Sequence, residues 1–168
     1  MPTPFAEVAR SGLSEALAGA VAAGDMKTDY RAAVCRFEDD LFAAFPRGHA
    51  LIDRRMAERM VAEIFHAVGR RPPRLTLVAG FADPRVGGFA DIANHRIAIE
   101  RGHLYRFLVL HEAAHLIVPK DRRHGPGFIF VLQLFYRSFI GIPEDGVRYF
   151  MEKYGLPTVL TLIPRIAA

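Results

Sequence analysis

Leu104-Tyr105-Arg106-Phe107-Leu108-Val109-Leu110-His111-Glu112-Ala113-Ala114-His115, continuing through Leu116-Ile117-Val118 to Pro119, is the stretch on which the reading of this chain turns. Its residues are mostly apolar and include many good helix formers, with no Gly or Pro before Pro119, so they predict a largely buried helix. Pro119 ends that helix, because it has no N–H to donate and it disfavours the helical conformation in Val118 before it. His111 and His115, four apart, stack on one helical face with Cβ atoms roughly 5–6 Å apart, and both imidazoles can reach a single cation. Glu112 stands beside the first of them, where a carboxylate can take a proton from an activated water. Three ionisable groups on two turns of so apolar a helix are costly without a cation to organise them. That cost sets the metal reading above the one in which both histidines are ordinary core residues and Glu112 pairs with an arginine.

A catalytic zinc usually takes three protein ligands and leaves a fourth position for water. His124 follows His115 by nine residues, and Gly125-Pro126 behind it reads as a turn into a second helix. Asp121 follows by six, the position of the third ligand in H-E-x-x-H-x-x-G-x-x-H/D enzymes, but Val118 occupies the place where that pattern needs Gly. A glutamate from a later helix would have to be Glu144 or Glu152, and neither carries the Glu-x-x-x-Asp spacing of that class. His124 is therefore the favoured third ligand and Asp121 the runner-up.

Leu110-His111-Glu112-Ala113-Ala114-His115 followed by His124-Gly125-Pro126-Gly127-Phe128 resembles the SprT-like branch of the zincin metallopeptidases, in particular its small bacterial and phage-type metallohydrolases. The resemblance runs from about Leu75 to about Tyr154, roughly half the chain, and leaves the first 50 residues uncovered. It implies that His124, the His of a His-Gly-x-x-Phe segment, is the third zinc ligand. It also implies a small mixed sheet lying over the metal helix, with an edge strand along the cleft where an extended peptide can add through main-chain bonds. Gly127 departs from the pattern, since relatives usually place a larger polar residue there, often Glu.

With 168 residues, 51% hydrophobic and 24% charged, the chain suits a single domain of ordinary globular composition. The net charge is +4 and the sequence pI about 9.6, yet the basic residues cluster only at Arg70-Arg71-Pro72-Pro73-Arg74 and Lys120-Asp121-Arg122-Arg123. Such clusters read as solvated loops in preference to a nucleic-acid surface. The single Cys35 excludes an intramolecular disulfide framework, points to a reducing compartment, and is expected to be a small buried hydrophobe. Met1 to Asp25 has charged interruptions at Glu7, Arg10 and Glu15 and does not read as a signal peptide. Phe128 to Ile140 is too short to span a bilayer, so the expectation is a cytoplasmic protein without membrane partners.

Three helices are expected first. One opens on Thr3-Pro4, with a stripe of Phe5, Val8, Leu13, Leu17 and Val21 broken by Gly12, and ends near Gly24. A second runs from about Asp29 to Phe45 with Val34, Phe37, Leu41 and Phe45 on one face, and Pro46 closes it. Asp53 caps the third, whose Met60, Val61, Ile64, Phe65 and Val68 form the apolar side up to Gly69, while His66 is incidental. Leu75 to Ala79 reads as a strand, and Gly88 to Ile92 with Arg96 to Glu100 as a hairpin around Ala93-Asn94-His95. After His124, Phe128 to Phe135 is apolar nearly all round and should pack centrally against the metal helix; a last helix covers about Glu144 to Lys153. The apolar tail from Thr158 to Ala168 should dock, with completion of the core preferred over closure of the cleft.

These readings combine into an α+β, zincin-like fold of one domain. Residues 1–50 form a helical N-terminal extension, residues 75–154 the catalytic core, and residues 156–168 the docking tail. The function expected is that of a zinc-dependent metallopeptidase with one Zn2+ held by His111, His115 and His124, Glu112 as general base, and a protein or peptide substrate. Tyr136, Tyr149, Arg148 and His95 are candidates for stabilising an oxyanion, each with a structural role as the commoner alternative. The competing reading is a non-catalytic zinc-containing binding or regulatory module, either one that lacks substrate access or one that binds nucleic acid through the arginine clusters; Glu112 argues against it, because a purely structural zinc site has no use for a general base.

Overall fold

The computed structural model describes residues 4–23, 27–118 and 124–158. Asp121 and the tail from residue 159 onward, on which two of the expectations fall, lie outside the described residues, as do the cap Thr3 and the helix end at Gly24. The described residues form an α+β fold of six α-helices and a three-stranded mixed sheet, with a short 3-10 turn and a π-helical turn.

Helix α1, Pro4–Ala23, bends at Gly12, whose φ of 126° is a conformation that glycine alone adopts without strain. Phe5, Val8, Leu13 and Ala20 are buried along it. Helix α2, Arg31–Ala44, begins two residues later than expected because the Asp29 carboxylate accepts the Arg31 N–H at 3.0 Å and turns the chain before the helix starts. Val34, Phe37, Leu41 and Phe42 are buried on α2, and so is one charged residue, Glu38. Cys35 corrects the expectation of a buried thiol: it lies off the Val34, Phe37 and Leu41 stripe and is exposed. Pro46 opens the 3-10 turn Pro46–His49. Helix α3, Arg54–Ala67, is capped by Asp53, whose side chain accepts the Met56 N–H at 2.7 Å, an interaction worth about 1 kcal/mol. His66 is exposed.

Strand β1, Arg74–Val78, pairs in parallel with β3, Arg96–Glu100, and β2, Gly88–Asp91, pairs antiparallel with β3, giving the order β1-β3-β2. Leu75, Ala90, Ile97 and Ile99 turn one face of this sheet into the core. The β2–β3 turn is fixed by Asp91, which accepts from the Asn94 backbone and side chain and pairs with Arg96 at 2.9 Å. Strand β2 is thereby left as an edge.

The helix expected to carry the metal is α4, Arg106–Ile117. Val118 after it has ψ 156°, the extended conformation that a residue before proline must take. Helix α5, Pro126–Phe135, opens on Gly125 with Pro126 in its first turn, and all ten of its residues are buried. It packs between α1 and α4, as its uninterrupted apolar sequence requires. The chain then widens into the π-helical turn Tyr136–Ile140 and ends at Gly141. Helix α6, Glu144–Lys153, is tied to α2 through Asp40, which accepts from both Lys153 and Tyr154. The Gln133 amide donates to the Pro157 carbonyl at 3.3 Å, the last described anchor of the chain on α5. No helix among the described residues is long and apolar enough to cross a membrane.

Candidate metal centre

Two elements aim three imidazoles at one point. The spacing of four on α4 brings the His111 and His115 rings to 5.0 Å between centroids. His124, at the entry to α5, comes to 5.6 Å from His111 and 4.8 Å from His115. One ring nitrogen from each lies within 4.8 Å of the others, close enough for all three to hold one metal ion. Phe128 is fully buried beneath them, with its ring 4.4 Å from His115, 4.8 Å from His124 and 5.1 Å from His111. The phenylalanine of the His-Gly-x-x-Phe segment is thus a floor that fixes the separation of the three rings.

The donor set suits a cation. Among the described residues the group consists of three imidazoles, each offering one ring nitrogen. His124 Nδ1 is buried without a hydrogen bond, 3.4 Å from the Asp29 carboxylate. The same segment is held in place by the Tyr30 N–H, which donates to the His124 carbonyl at 3.3 Å.

His111 has the most organised surroundings. Its Nδ1 lies 2.8 Å from Glu38 Oε1, and because a carboxylate only accepts, that nitrogen carries the proton. Tyr136 donates its hydroxyl to the same oxygen. Burial works against a charged His111, but the charge and hydrogen bond of Glu38 more than offset it and hold the imidazole near a pKa of about 9 in the metal-free protein. His124 is driven the other way, to about 4, by burial and by the positive charge of His111.

Glu112 is buried at 7% exposure, and burial raises its pKa, only partly opposed by the His111 charge. The nearby backbone N–H of Ala90, on edge strand β2, also works against that rise. The arrangement can therefore hold a cation on one side and a proton acceptor beside it, next to an open strand edge.

The structure brings His111, His115, His124 and Glu112 together, and takes three of the four oxyanion candidates elsewhere. His95 sits in the β2–β3 turn, bonded to the Arg71 carbonyl at 2.8 Å, while Tyr149 and Arg148 are exposed on α6. Tyr136 is fully buried with its hydroxyl committed to Glu38. Glu144 pairs with Arg137 at 2.9 Å. The residue that sequence reasoning missed is Glu38, 73 positions from His111 and inside the segment read as an extension. The available signal was a carboxylate within the Val34, Phe37 and Leu41 stripe, where a solvated charge does not belong. No family model, curated protein or solved structure matches this chain.

Proposed function

We propose that this chain is a zinc-dependent hydrolase that cleaves peptide bonds, a minimal zincin similar to the SprT-like metallopeptidases. The observation that carries the reading is the convergence of His111, His115 and His124 beside a buried Glu112 that packs against an edge strand. Three neutral imidazoles are a donor set suited to zinc. A zinc ion held there would supply Lewis acidity, polarising a carbonyl and lowering the pKa of bound water toward about 7.

The protein's own residues do the rest. A carboxylate oxygen of Glu112 receives the proton of the attacking water and hands it to the leaving amine, and the upward push of burial on its pKa moves it toward the range where a general base works near neutrality. Strand β2 supplies the binding edge. Gly88 of that strand packs against Glu112, so a peptide adding to β2 in extended form would run past the general base. Phe89, 53% exposed on the same strand, offers apolar contact to a partner crossing the sheet edge. With one cysteine in the chain, a reducing compartment such as the cytoplasm is part of the same proposal.

The test is metal analysis of the purified protein followed by proteolysis of an unfolded protein substrate, with and without a chelator. One zinc per chain and chelator-sensitive cleavage are expected. Zinc without cleavage of any unfolded substrate would favour the non-catalytic module.

A further inference from the structure

We propose that Glu38 and Tyr136 are positioning residues that fix the orientation and tautomer of His111 and thereby set the affinity of the site for its metal, an inference that rests on the metal reading above. Glu38 occupies a place where the fold has no ordinary use for a charge. Val34, Phe37, Leu41 and Phe42 around it on α2 are all buried, and a carboxylate among them is costly unless donors meet it. Two do, and both reach the same atom: Oε1 accepts from His111 Nδ1 at 2.8 Å and from the Tyr136 hydroxyl.

The three groups come from three separate elements, α2, α4 and the π-helical turn after α5. π-helical turns are frequent at functional sites. Tyr136 is the first residue of this one. Its ring is held between Phe37, stacked at 6.3 Å, and Phe42, edge-on at 5.0 Å, so the hydroxyl has little freedom to leave Glu38. With Nδ1–H committed to Glu38, Nε2 is the nitrogen of His111 left to face His115 and His124. A carboxylate partner on a ligating imidazole fixes its ring and raises its basicity, and loss of such a partner typically costs 10–100-fold in metal affinity. The two residues just before helix α2 also meet His124: the Tyr30 N–H donates to its carbonyl and the Asp29 carboxylate lies 3.4 Å from its Nδ1. Helix α2 and the residues leading into it are therefore part of the candidate metal centre.

The experiment is a zinc titration of metal-stripped protein against a chromophoric chelator, with Glu38→Gln, Glu38→Ala, Tyr136→Phe and the Glu38→Ala/Tyr136→Phe double variant, each confirmed as folded by circular dichroism. Glu38→Ala should weaken zinc binding by about 10–100-fold and Tyr136→Phe by less. The double variant should match Glu38→Ala, because Tyr136 acts through Glu38. Cobalt(II) loaded in place of zinc should show shifted visible bands in Glu38→Gln, which keeps the side-chain volume and serves if the alanine variant does not fold. Wild-type zinc affinity and an unaltered cobalt spectrum in folded Glu38→Gln and Tyr136→Phe overturn the inference while leaving the metal reading intact. A wild-type protein that takes up no zinc overturns both.

Discussion

Gly88 on strand β2 lies so close to Glu112 on α4 that a Cβ there would come 3.1 Å from Glu112 Cγ, 3.1 Å from Leu108 Cδ1 and 2.9 Å from Ile99 Cδ1. The approach packs the Glu112 side chain against strand β2. Gly88→Ala should push Glu112 out of line without touching an imidazole. Zinc content is expected to remain at one per chain while cleavage falls by about tenfold to a hundredfold, with a stability loss of about 1–3 kcal/mol from overpacking. Parallel metal analysis and proteolysis check this; full activity in the alanine variant would show that the position of Glu112 against β2 is immaterial.

Glu112→Gln separates the metal from the chemistry. The carboxylate is outside the three-imidazole set, so the variant should keep its zinc, and the amide cannot take up a proton. Cleavage should drop by about 10²–10⁴-fold. A metal-loaded Glu112→Gln protein that cleaves normally would remove Glu112 from the mechanism.

The parts of this molecule that sequence makes visible are those written in local spacing. His111, Glu112 and His115 are legible because a helix converts a separation of four into a shared face, and the end of α4 is legible because Pro119 dictates the conformation of Val118. The β2–β3 hairpin and the Asp53 cap follow from turn and cap chemistry in the same way. Glu38 is different. It sits in the run Glu38-Asp39-Asp40; helical spacing from Val34 and Leu41 puts Glu38 on the apolar face, but nothing local says what it meets there. Only the packing of α2 on α4, which places Phe42 against Phe107 at 5.0 Å, decides that Glu38 meets His111. The parallel pairing of β1 with β3 is also set by tertiary structure, since the hairpin partner of β3 is β2.

Metal uptake should be coupled to protons with a definite sign. In the metal-free protein His111 is raised from 6.5 to about 9 and is charged at neutral pH, while His124, lowered to about 4, is already neutral. A metal binds only the neutral imidazole, so zinc entering at pH 7 must displace about one proton from His111. Affinity should therefore rise about tenfold per pH unit between about pH 7 and pH 9 and level off above. Without metal the same raised pKa contributes stability that is complete below about pH 6.5 and is lost as the pH rises through about 9. Calorimetric titrations in buffers of different ionisation enthalpy measure the proton count directly, and a value near zero at pH 7 would mean that Glu38 does not hold His111 in its charged form.

Gly127 makes the last case, because it departs from the SprT-like pattern for a reason visible in the packing. It is the second residue of α5 and buried, and a Cβ on it would lie 3.3 Å from Val21 Cγ2 and 3.9 Å from Leu17 Cδ2 and Val118 Cγ1. Helix α1 occupies the space that a larger side chain would need. Gly127→Ala should be nearly neutral, since a shift of a few tenths of an ångström in Val21 is offset by the gain of about 1 kcal/mol in helix propensity. Gly127→Glu must either bury a carboxylate among Leu17, Val21 and Val118 or displace α1, and should cost about 3 kcal/mol or more, lowering the melting temperature by about 6–12 °C. Proteolytic nicking within residues 4–23 of the glutamate variant, with zinc retained, is the expected sign that α1 has given way. A glutamate variant as stable as the wild type would show that α1 does not depend on glycine at this position.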